Sequence, residues 1–408
     1  MLEFFAIIIS MSAIFGYVNH KWLKLPNTIG VMLISLAFGV ILKFLEILDV
    51  EYVFSIRDYL TAFDFSAFVL DFILCFLLFA GALHVKLGQL KGVRATVISY
   101  ATLGVLVSTF IIGLLTNYIT GLFGIQLHLV TCLLFGALIS PTDPIAVIGI
   151  LSKYKIPQKL KTEIIGESLF NDGVGVVVFA VIFSLIEGGS EAFTFGSIVK
   201  IFSIEVIGGL GIGFLIGYVG YFLMKSIDHY QTEILITLSV VTGGYTLASH
   251  FHASGPLAMV VAGLLIGNKG KQHAMSDITA EYVDKFWELI DEICNTILFI
   301  LMGLEIFLVP FDSKYILIGC ILIAVSLFAR YISLLPAFFI FKRREPNKAL
   351  NLTVLTWGGL RGGISIALAL SLTNKVEGSS LFIVSTYCIV LFSILVQGLS
   401  IKRLLKRY

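Results

Sequence analysis

The sequence has 408 residues, of which 58% are hydrophobic and only 13% are charged, and its mean hydropathy is +1.00. A soluble domain has about 25% charged residues, so this composition excludes an ordinary soluble protein and indicates a chain that crosses a membrane many times. The formal net charge is only +2, and we expect no nucleic-acid partner.

Thirteen apolar runs are each close to the length that crosses a bilayer. About 20 helical residues span the roughly 30 Å hydrocarbon core of a membrane. The first run lacks a preceding basic segment, so we expect it to stay in place as a helix rather than to be cleaved as a signal peptide. We number the runs as spans 1 to 13, and they cover residues 3–19, 28–47, 66–84, 95–117, 127–152, 162–186, 196–224, 232–249, 255–268, 286–309, 314–341, 350–373 and 380–401.

The basic residues predict the orientation of these spans. Most of the 28 Lys and Arg residues lie in the loops after odd-numbered spans and in the C-terminal tail. Cytoplasmic loops carry the excess of Lys and Arg, so we expect the N-terminus outside and the C-terminus in the cytoplasm. The basic residues on the other side, in its loops or at the span ends next to them, are only Lys43, Arg57, Lys200, Lys314 and Lys375.

Cysteine and histidine give no sign of a metal centre or a bound cofactor. The five cysteines all fall inside apolar runs without ligand spacing, and the seven histidines are scattered. We therefore expect neither disulfides nor a metal site nor a bound cofactor.

Two prolines interrupt span 5, which contains Ser140-Pro141-Thr142-Asp143-Pro144. Proline removes a backbone donor and disfavours helical geometry in the residue before it. We interpret the Asp143 side chain as the N-cap of a second half-helix, residues 144–152, in preference to an ion ligand.

Span 12 has a corresponding break, Trp357-Gly358-Gly359-Leu360-Arg361-Gly362-Gly363, in which glycines surround a guanidinium. Spans 5 and 12 are seven apart, and an odd offset inverts their orientation. We therefore expect one transmembrane domain over residues 1–408 with two inverted six-helix repeats, residues 1–190 and 231–408, a connector over 191–230, and no soluble regulatory domain. Paired broken helices mark the midplane site of many transporters.

Span 6 places Asp172 near the middle of the bilayer, about 16 Å along a helix that starts near Lys161. An intramembrane carboxylate is a functional hypothesis by default. Ser168 and Asn171 precede it by four and three residues, so their oxygens share its face. One carboxylate with neutral oxygens suits a hard monovalent cation, and burial lets protons compete for it. Asn171 has a second interpretation, as a hydrogen-bonding residue between packed helices.

Other charged side chains in the spans have supporting interpretations. Glu167 lies about 140° around the helix from Asp172, so we expect a buried ion pair with Arg330 in span 11 or Arg361 in span 12. In span 10, the acidic residues are interpreted as the rim of a cytoplasmic funnel and not as ligands; they are Asp291, Glu292 and Glu305.

Three motifs together resemble those of the NhaP-type bacterial sodium/proton antiporters, relatives of the animal sodium/proton exchangers, and the similarity covers essentially the whole chain. The motifs, in this order and spacing, are Pro141-Thr142-Asp143-Pro144, Gly166-Glu167-Ser168-Leu169-Phe170-Asn171-Asp172-Gly173 and Gly358-Gly359-Leu360-Arg361-Gly362.

The resemblance implies an all-α antiporter fold of the NhaA type with about thirteen helices, a homodimer, and alternating access in which a core bundle moves against a dimerisation bundle. It implies that Asp172 carries both the cation and the proton. Asn171, Ser168 and the Thr142 carbonyl would complete the Na⁺ site, and Glu167 would pair with Arg330.

The chain departs from these relatives in its third span. They often have a glutamate in a Leu-Phe-Glu-Ala-Ala-Leu pattern, whereas this chain has Leu78-Phe79-Ala80-Gly81-Ala82-Leu83, so a ligand or gate is missing there. The Asn171–Asp172 pair stands where electrogenic relatives have two aspartates, which implies exchange of one cation for one proton.

These observations predict a secondary antiporter that exchanges Na⁺ or Li⁺ for H⁺ and is not an enzyme. A K⁺/H⁺ antiporter remains an alternative, because a short oxygen motif does not fix ion size. A sodium-coupled symporter of organic anions would need two sodium sites and anion-binding helix ends. A channel would show ion flux without proton coupling.

Overall fold

The computed structural model describes residues 2–143, 156–188, 194–309, 312–341 and 348–406, and within them every regular element is helical. Shorter helical segments, such as Asn19–Leu23, Leu87–Leu90 and Lys271–His273, extend or connect the main helices. We label the main helices α1 Leu2–Val18, α2 Asn27–Ile47, α3 Glu51–Thr61, α4 Phe65–His84, α5 Arg94–Leu122, α6 Leu129–Ile139, α7 Gln158–Glu187, α8 Gly196–Lys225, α9 Tyr230–His250, α10 Gly255–Leu265, α11 Asp277–Glu305, α12 Ser313–Phe341, α13 Lys348–Trp357, α14 Gly363–Ser371 and α15 Ser379–Leu405.

These helices confirm the predicted all-α, multi-pass membrane protein. Seven of those described are individually long and apolar enough to cross a bilayer, among them α4, α7 and α12. Each of the thirteen predicted spans overlaps at least one helix, and the predicted end of span 5, at residue 152, lies outside the described residues. The exact number of membrane crossings stays a prediction.

Two elements differ from the predicted spans. Residues 51–61 lie outside the predicted spans, whereas the structure has the helix α3 there, with Val53 and Leu60 buried. Span 10 was expected to begin at residue 286, but α11 begins at Asp277, after Ser276 caps it by accepting a hydrogen bond from the Thr279 amide at 3.3 Å. A serine cap fixes a helix start independently of hydropathy.

Close packing of α2 against α11 shows how small residues bring the helices together. A Cβ atom added to Gly39 would collide with the carbonyl oxygen of Gly303, so the two backbones touch. Ser35 reinforces the contact by donating a hydrogen bond to the Ile300 carbonyl at 2.6 Å. Small residues drive helix association inside membranes, where hydrophobic burial is weak.

The two predicted breaks are present and lie against each other. α6 ends at Ile139, and the four residues after it are not helical; α13 and α14 are separated by residues 358–362. The Asp143 amide donates a hydrogen bond to the Leu360 carbonyl at 2.7 Å. The broken chain segments therefore cross in the protein interior, where non-helical backbone is shielded from lipid.

Candidate functional site

Helix α7 carries the central residues of the site. It runs for 30 residues without interruption, and Asp172 lies 14 residues, or about 21 Å, from its first residue. The side chains of Ser168, Asn171 and Asp172 are all buried. Gly175, one turn further on, lets α7 touch the break directly, because a Cβ atom there would collide with the ring of Pro141.

Three of the predicted site residues form a hydrogen-bonded group. The Asn171 amide donates to the Thr142 hydroxyl at 2.7 Å and its oxygen accepts from the Thr142 backbone amide at 3.3 Å. The Ser168 hydroxyl donates to the Thr142 carbonyl. Asn171 and Ser168 thus hold the broken segment against α7, which is the packing interpretation of Asn171.

Asp172 faces a cavity beside this group. The cavity has a volume of about 120 Å³ and is otherwise largely apolar, but three carboxylates line it: Asp143, Asp172 and Asp291. Within the described part of the chain, the Asp172 carboxylate accepts no hydrogen bond and forms no ion pair. A carboxylate in such surroundings is costly unless a proton or a cation neutralises it.

A second cavity adjoins the Asp172 cavity on the side toward one end of the molecule. Its volume is about 450 Å³, and it shares Gly81, Ile165 and Asp291 with the Asp172 cavity. Its lining includes Lys86 and Gln158, at the end where the lysine-rich loops lie. The Asp172 cavity therefore borders a larger cavity on the predicted cytoplasmic side.

The two buried arginines, Arg330 and Arg361, have different partners. Glu167 forms an ion pair with Arg330, and both side chains are buried. Arg330 also donates to the Leu355 carbonyl at 3.3 Å. Arg361 instead donates to two backbone carbonyls of the span 5 break, Ser140 at 2.6 Å and Pro141 at 2.8 Å. The Arg330 guanidinium therefore neutralises a buried carboxylate, whereas the Arg361 guanidinium binds backbone carbonyls at the end of an interrupted helix.

Asp143 reaches the site from the break itself. A Cβ atom at Gly362 would overlap the Asp143 carboxylate, so the glycine leaves room for that side chain, which also lines the Asp172 cavity. Its predicted role as the cap of residues 144–152 lies outside the described residues.

The acidic residues of α11, which sequence reasoning grouped as one cytoplasmic rim, are separated by the structure. Asp291 lines both the Asp172 cavity and the opening to it. Glu292 accepts a hydrogen bond from Asn27 at 3.0 Å and lines a different surface cavity. Glu305 lies at the other end of the helix. A sequence signal that could have distinguished Asp291 is Asn295, which lies four residues on and on the same helix face, at the start of an otherwise apolar run.

Ala80 lies on α4 where relatives often have a glutamate. Its side chain is fully buried, and the adjacent Gly81 lines both inner cavities. Asp291 on α11 lines the same two cavities, so they contain an acidic group that another helix supplies.

Comparisons with known proteins give relatives over essentially the whole chain. The family profile described as the transmembrane sodium/hydrogen exchanger matches residues 8–407. The Na⁺/H⁺ antiporter NhaP of Pseudomonas aeruginosa is 47% identical, covering 100% of this chain and 97% of its own length. The Na⁺/H⁺ antiporter NhaH of Halobacillus dabanensis is 33% identical, covering 95% of this chain and 93% of its own length.

Among solved structures, the sodium proton antiporter MjNhaP1 from Methanocaldococcus jannaschii at pH 8 superposes with a TM-score of 0.79. The match covers 100% of this chain and 98% of that chain at 20% sequence identity. At this identity the likeness establishes a shared fold.

Proposed function

The chain belongs to the sodium/hydrogen exchanger family, and on that premise we propose that it is a secondary antiporter that exchanges Na⁺ or Li⁺ for H⁺ across a membrane. The resemblance predicted from the three motifs is confirmed. The chain transports ions and breaks no covalent bond. Relatives that carry the name Na⁺/H⁺ antiporter favour this function over K⁺/H⁺ exchange, organic anion symport or a channel.

The observation that carries the proposal is the buried Asp172 carboxylate, which lines an inner cavity and has no hydrogen-bond or ion-pair partner within the described part of the chain. An ionised carboxylate in an apolar cavity is costly, and either a bound proton or a bound cation removes the charge. The site therefore switches its access from one side of the membrane to the other when a cation or a proton occupies it, and not when it is empty. Because Asp172 binds one or the other, each crossing with a cation is matched by a return with a proton.

The neighbouring oxygens complete the proposed Na⁺ site. The Thr142 carbonyl, the Ser168 hydroxyl and the Asn171 side chain lie together beside Asp172. Their mutual hydrogen bonds hold the break in place, so that the oxygens are already assembled when the cation arrives. Preassembled ligands reduce the conformational cost of binding.

The supporting residues have structural roles in this proposal. Glu167 and Arg330 tie α7 to α12, while Arg361 compensates the carbonyls that the break in span 5 leaves without helical partners. Asp143 and Asp291 add negative charge to the cavity and attract cations toward Asp172.

We further propose a homodimer in a bacterial inner membrane, with the N-terminus outside and the C-terminus in the cytoplasm. The orientation rests on the distribution of Lys and Arg. The repeat bounds, 1–190 and 231–408 with the connector 191–230, stay predictions.

Exchange in proteoliposomes tests the function. A pH-sensitive dye inside the vesicles should report proton movement when Na⁺ or Li⁺ is added, with a weaker response to K⁺. Asp172→Asn should abolish the signal while the protein stays folded, because an amide neither binds a proton nor neutralises a cation.

The matched control is Asp58→Asn, the same chemical change at an exposed residue of α3, which should transport as the wild type does. Wild-type exchange rates in Asp172→Asn would contradict the assignment. A response to K⁺ stronger than that to Na⁺ would favour the K⁺/H⁺ alternative.

A further inference from the structure

A separate cavity lies at the opposite end of the molecule from the lysine-rich opening. Its volume is about 500 Å³, and it includes Glu305, Leu308 and Ser380 in its lining. Glu305 is the last residue of α11, and it follows Asp291 by 14 residues, which corresponds to about 21 Å along the helix. We call this space the outer cavity.

The outer cavity follows the Asp172 cavity along α11, toward the predicted outer end of that helix. Leu298 precedes Glu305 by seven residues of α11, which places the two linings about 10 Å apart on that helix. No described residue lines both spaces, so a layer of protein separates them in this conformation. The same three helices line both cavities: α11 with Leu298 and Glu305, α14 with Ile364 and Leu370, and α4 with Leu74 and Phe65.

Glu305 is the distinctive group of the outer cavity. Only 8% of the residue is exposed, and its carboxylate makes no hydrogen bond or ion pair within the described part of the chain. The lining contains a second acid, Asp64, which accepts a hydrogen bond from the Ala67 amide at 2.9 Å, and no Lys or Arg side chain among the residues described. The nearby Tyr387 hydroxyl donates elsewhere, to the Met302 carbonyl at 3.3 Å. A buried carboxylate without a counter-charge indicates a place for a mobile cation.

The position of Glu305 on its helix supports the same conclusion. Fourteen residues correspond to nearly four helical turns, so Asp291 and Glu305 lie within about 40° of each other around α11. One face of one helix therefore offers a carboxylate to the inner passage and another to the outer cavity.

We propose that Glu305 binds a monovalent cation in the outer cavity before the ion reaches Asp172, and that it thereby determines the apparent affinity for external Na⁺. The inference rests on the proposed antiport and on the predicted orientation. Its specific content is that Glu305 acts on one side of the membrane only, whereas Asp172 serves both.

Sided transport measurements test this proposal. Initial rates of ²²Na⁺ uptake are measured against Na⁺ concentration, with an opposing pH gradient, in right-side-out and in everted membrane vesicles of an antiporter-deficient bacterial host. In right-side-out vesicles, Glu305→Gln should raise the half-saturating Na⁺ concentration at least about threefold, because a negatively charged cavity concentrates cations and the substitution removes one of its carboxylates. The maximal rate should stay near that of the wild type, and so should the half-saturating Na⁺ concentration in everted vesicles.

Two further variants make the result specific. Glu305→Asp, which keeps the charge, should restore most of the external affinity. Glu377→Gln removes a carboxylate from an exposed residue outside the cavity lining, near Ser380, and should leave both values unchanged.

Each contrary result overturns the proposal. An unchanged external affinity in Glu305→Gln would show that the side chain only fills space. An equal change in both vesicle types would show an effect on the whole fold, and a change confined to everted vesicles would place Glu305 on the cytoplasmic side. Failure of the proposed antiport itself would appear separately, as absence of Na⁺-driven proton movement in the wild type.

Discussion

At the scale of single residues, the pair of Glu167 and Arg330 shows what a charge inside a membrane requires. Both side chains are buried, and each is the ionic partner of the other. Glu167→Ala would leave Arg330 without a counter-charge, at a cost of about 3 to 5 kcal/mol. We expect a lower melting temperature in detergent, with little change in the half-saturating Na⁺ concentration of the protein that remains folded.

The test of this pairing is a double substitution. Adding Arg330→Ala to Glu167→Ala removes the orphaned charge and should recover much of the lost melting temperature. Adding Arg361→Ala should not, because Arg361 serves the carbonyls of Ser140 and Pro141. Recovery of the melting temperature by Arg361→Ala and not by Arg330→Ala would contradict the pairing.

The sequence alone does not determine the partners of these side chains, because a partner depends on which groups the fold brings within reach. Span 6 showed that Glu167 needs a partner, because a lone charge is costly there. The choice between Arg330 and Arg361 depends on how α12 packs and on which backbone groups the breaks leave unpaired, and neither is a local property. For the same reason, the contacts of Asn171 with Thr142 could not be distinguished in advance from ion ligation.

At the scale of helices, the contact of α7 with the broken segment depends on a missing side chain. Gly175 faces the ring of Pro141 so closely that a methyl group there would displace one of them. Gly175→Ala should therefore cost about 1 to 3 kcal/mol and shift Thr142 relative to Asp172, since overpacking moves the backbone. We expect a lower melting temperature together with a higher half-saturating Na⁺ concentration.

The matched control is Gly211→Ala in α8, where nothing lies within 4 Å of the added atom. That change should be neutral or slightly stabilising, since alanine is the better helix former. Equal behaviour of the two variants, measured by thermal unfolding and by transport, would show that the contact with Pro141 is unimportant.

The helices divide into those that hydropathy reveals and those that it does not. Apolar runs such as α4 and α12 are evident because only a helix satisfies every backbone group within lipid. The helix α3 was missed because its 11 residues include Glu51, Arg57 and Asp58, so it has no apolar run. The first turns of α11 were missed for the same reason, because they contain charged residues. Only the Ser276 cap marks where this helix begins.

At the scale of the whole molecule, a single exchanged charge predicts how transport responds to voltage. If Asp172 carries either one Na⁺ or one H⁺, both loaded states have the same net charge. An electrogenic cycle would gain about 2.3 kcal/mol per elementary charge per 100 mV. We expect no steady Na⁺ accumulation when potassium and valinomycin impose a potential on proteoliposomes without a pH gradient; accumulation would show that a second charge moves.

Competition at the same carboxylate also predicts the pH dependence. A protonated Asp172 cannot bind the cation, so the half-saturating Na⁺ concentration should rise as the pH falls and approach about a tenfold rise per pH unit in the acid range. Transport rates at several Na⁺ concentrations between pH 6 and pH 9 would measure it. A half-saturating concentration that does not depend on pH would separate the proton carrier from the cation site.

The stacking of the outer cavity above the Asp172 cavity has an electrical consequence. Each cavity lies toward its own end of the molecule, and their linings are about 10 Å apart along α11. We expect each cavity to fill with water from the adjacent solution, so that the transmembrane potential falls mainly across the protein between them and the local field is about three times that across the roughly 30 Å of hydrocarbon. We therefore expect an ion to change sides by a small displacement of the surrounding protein, and in the stronger field only a site whose charge is neutralised would move equally well in both directions.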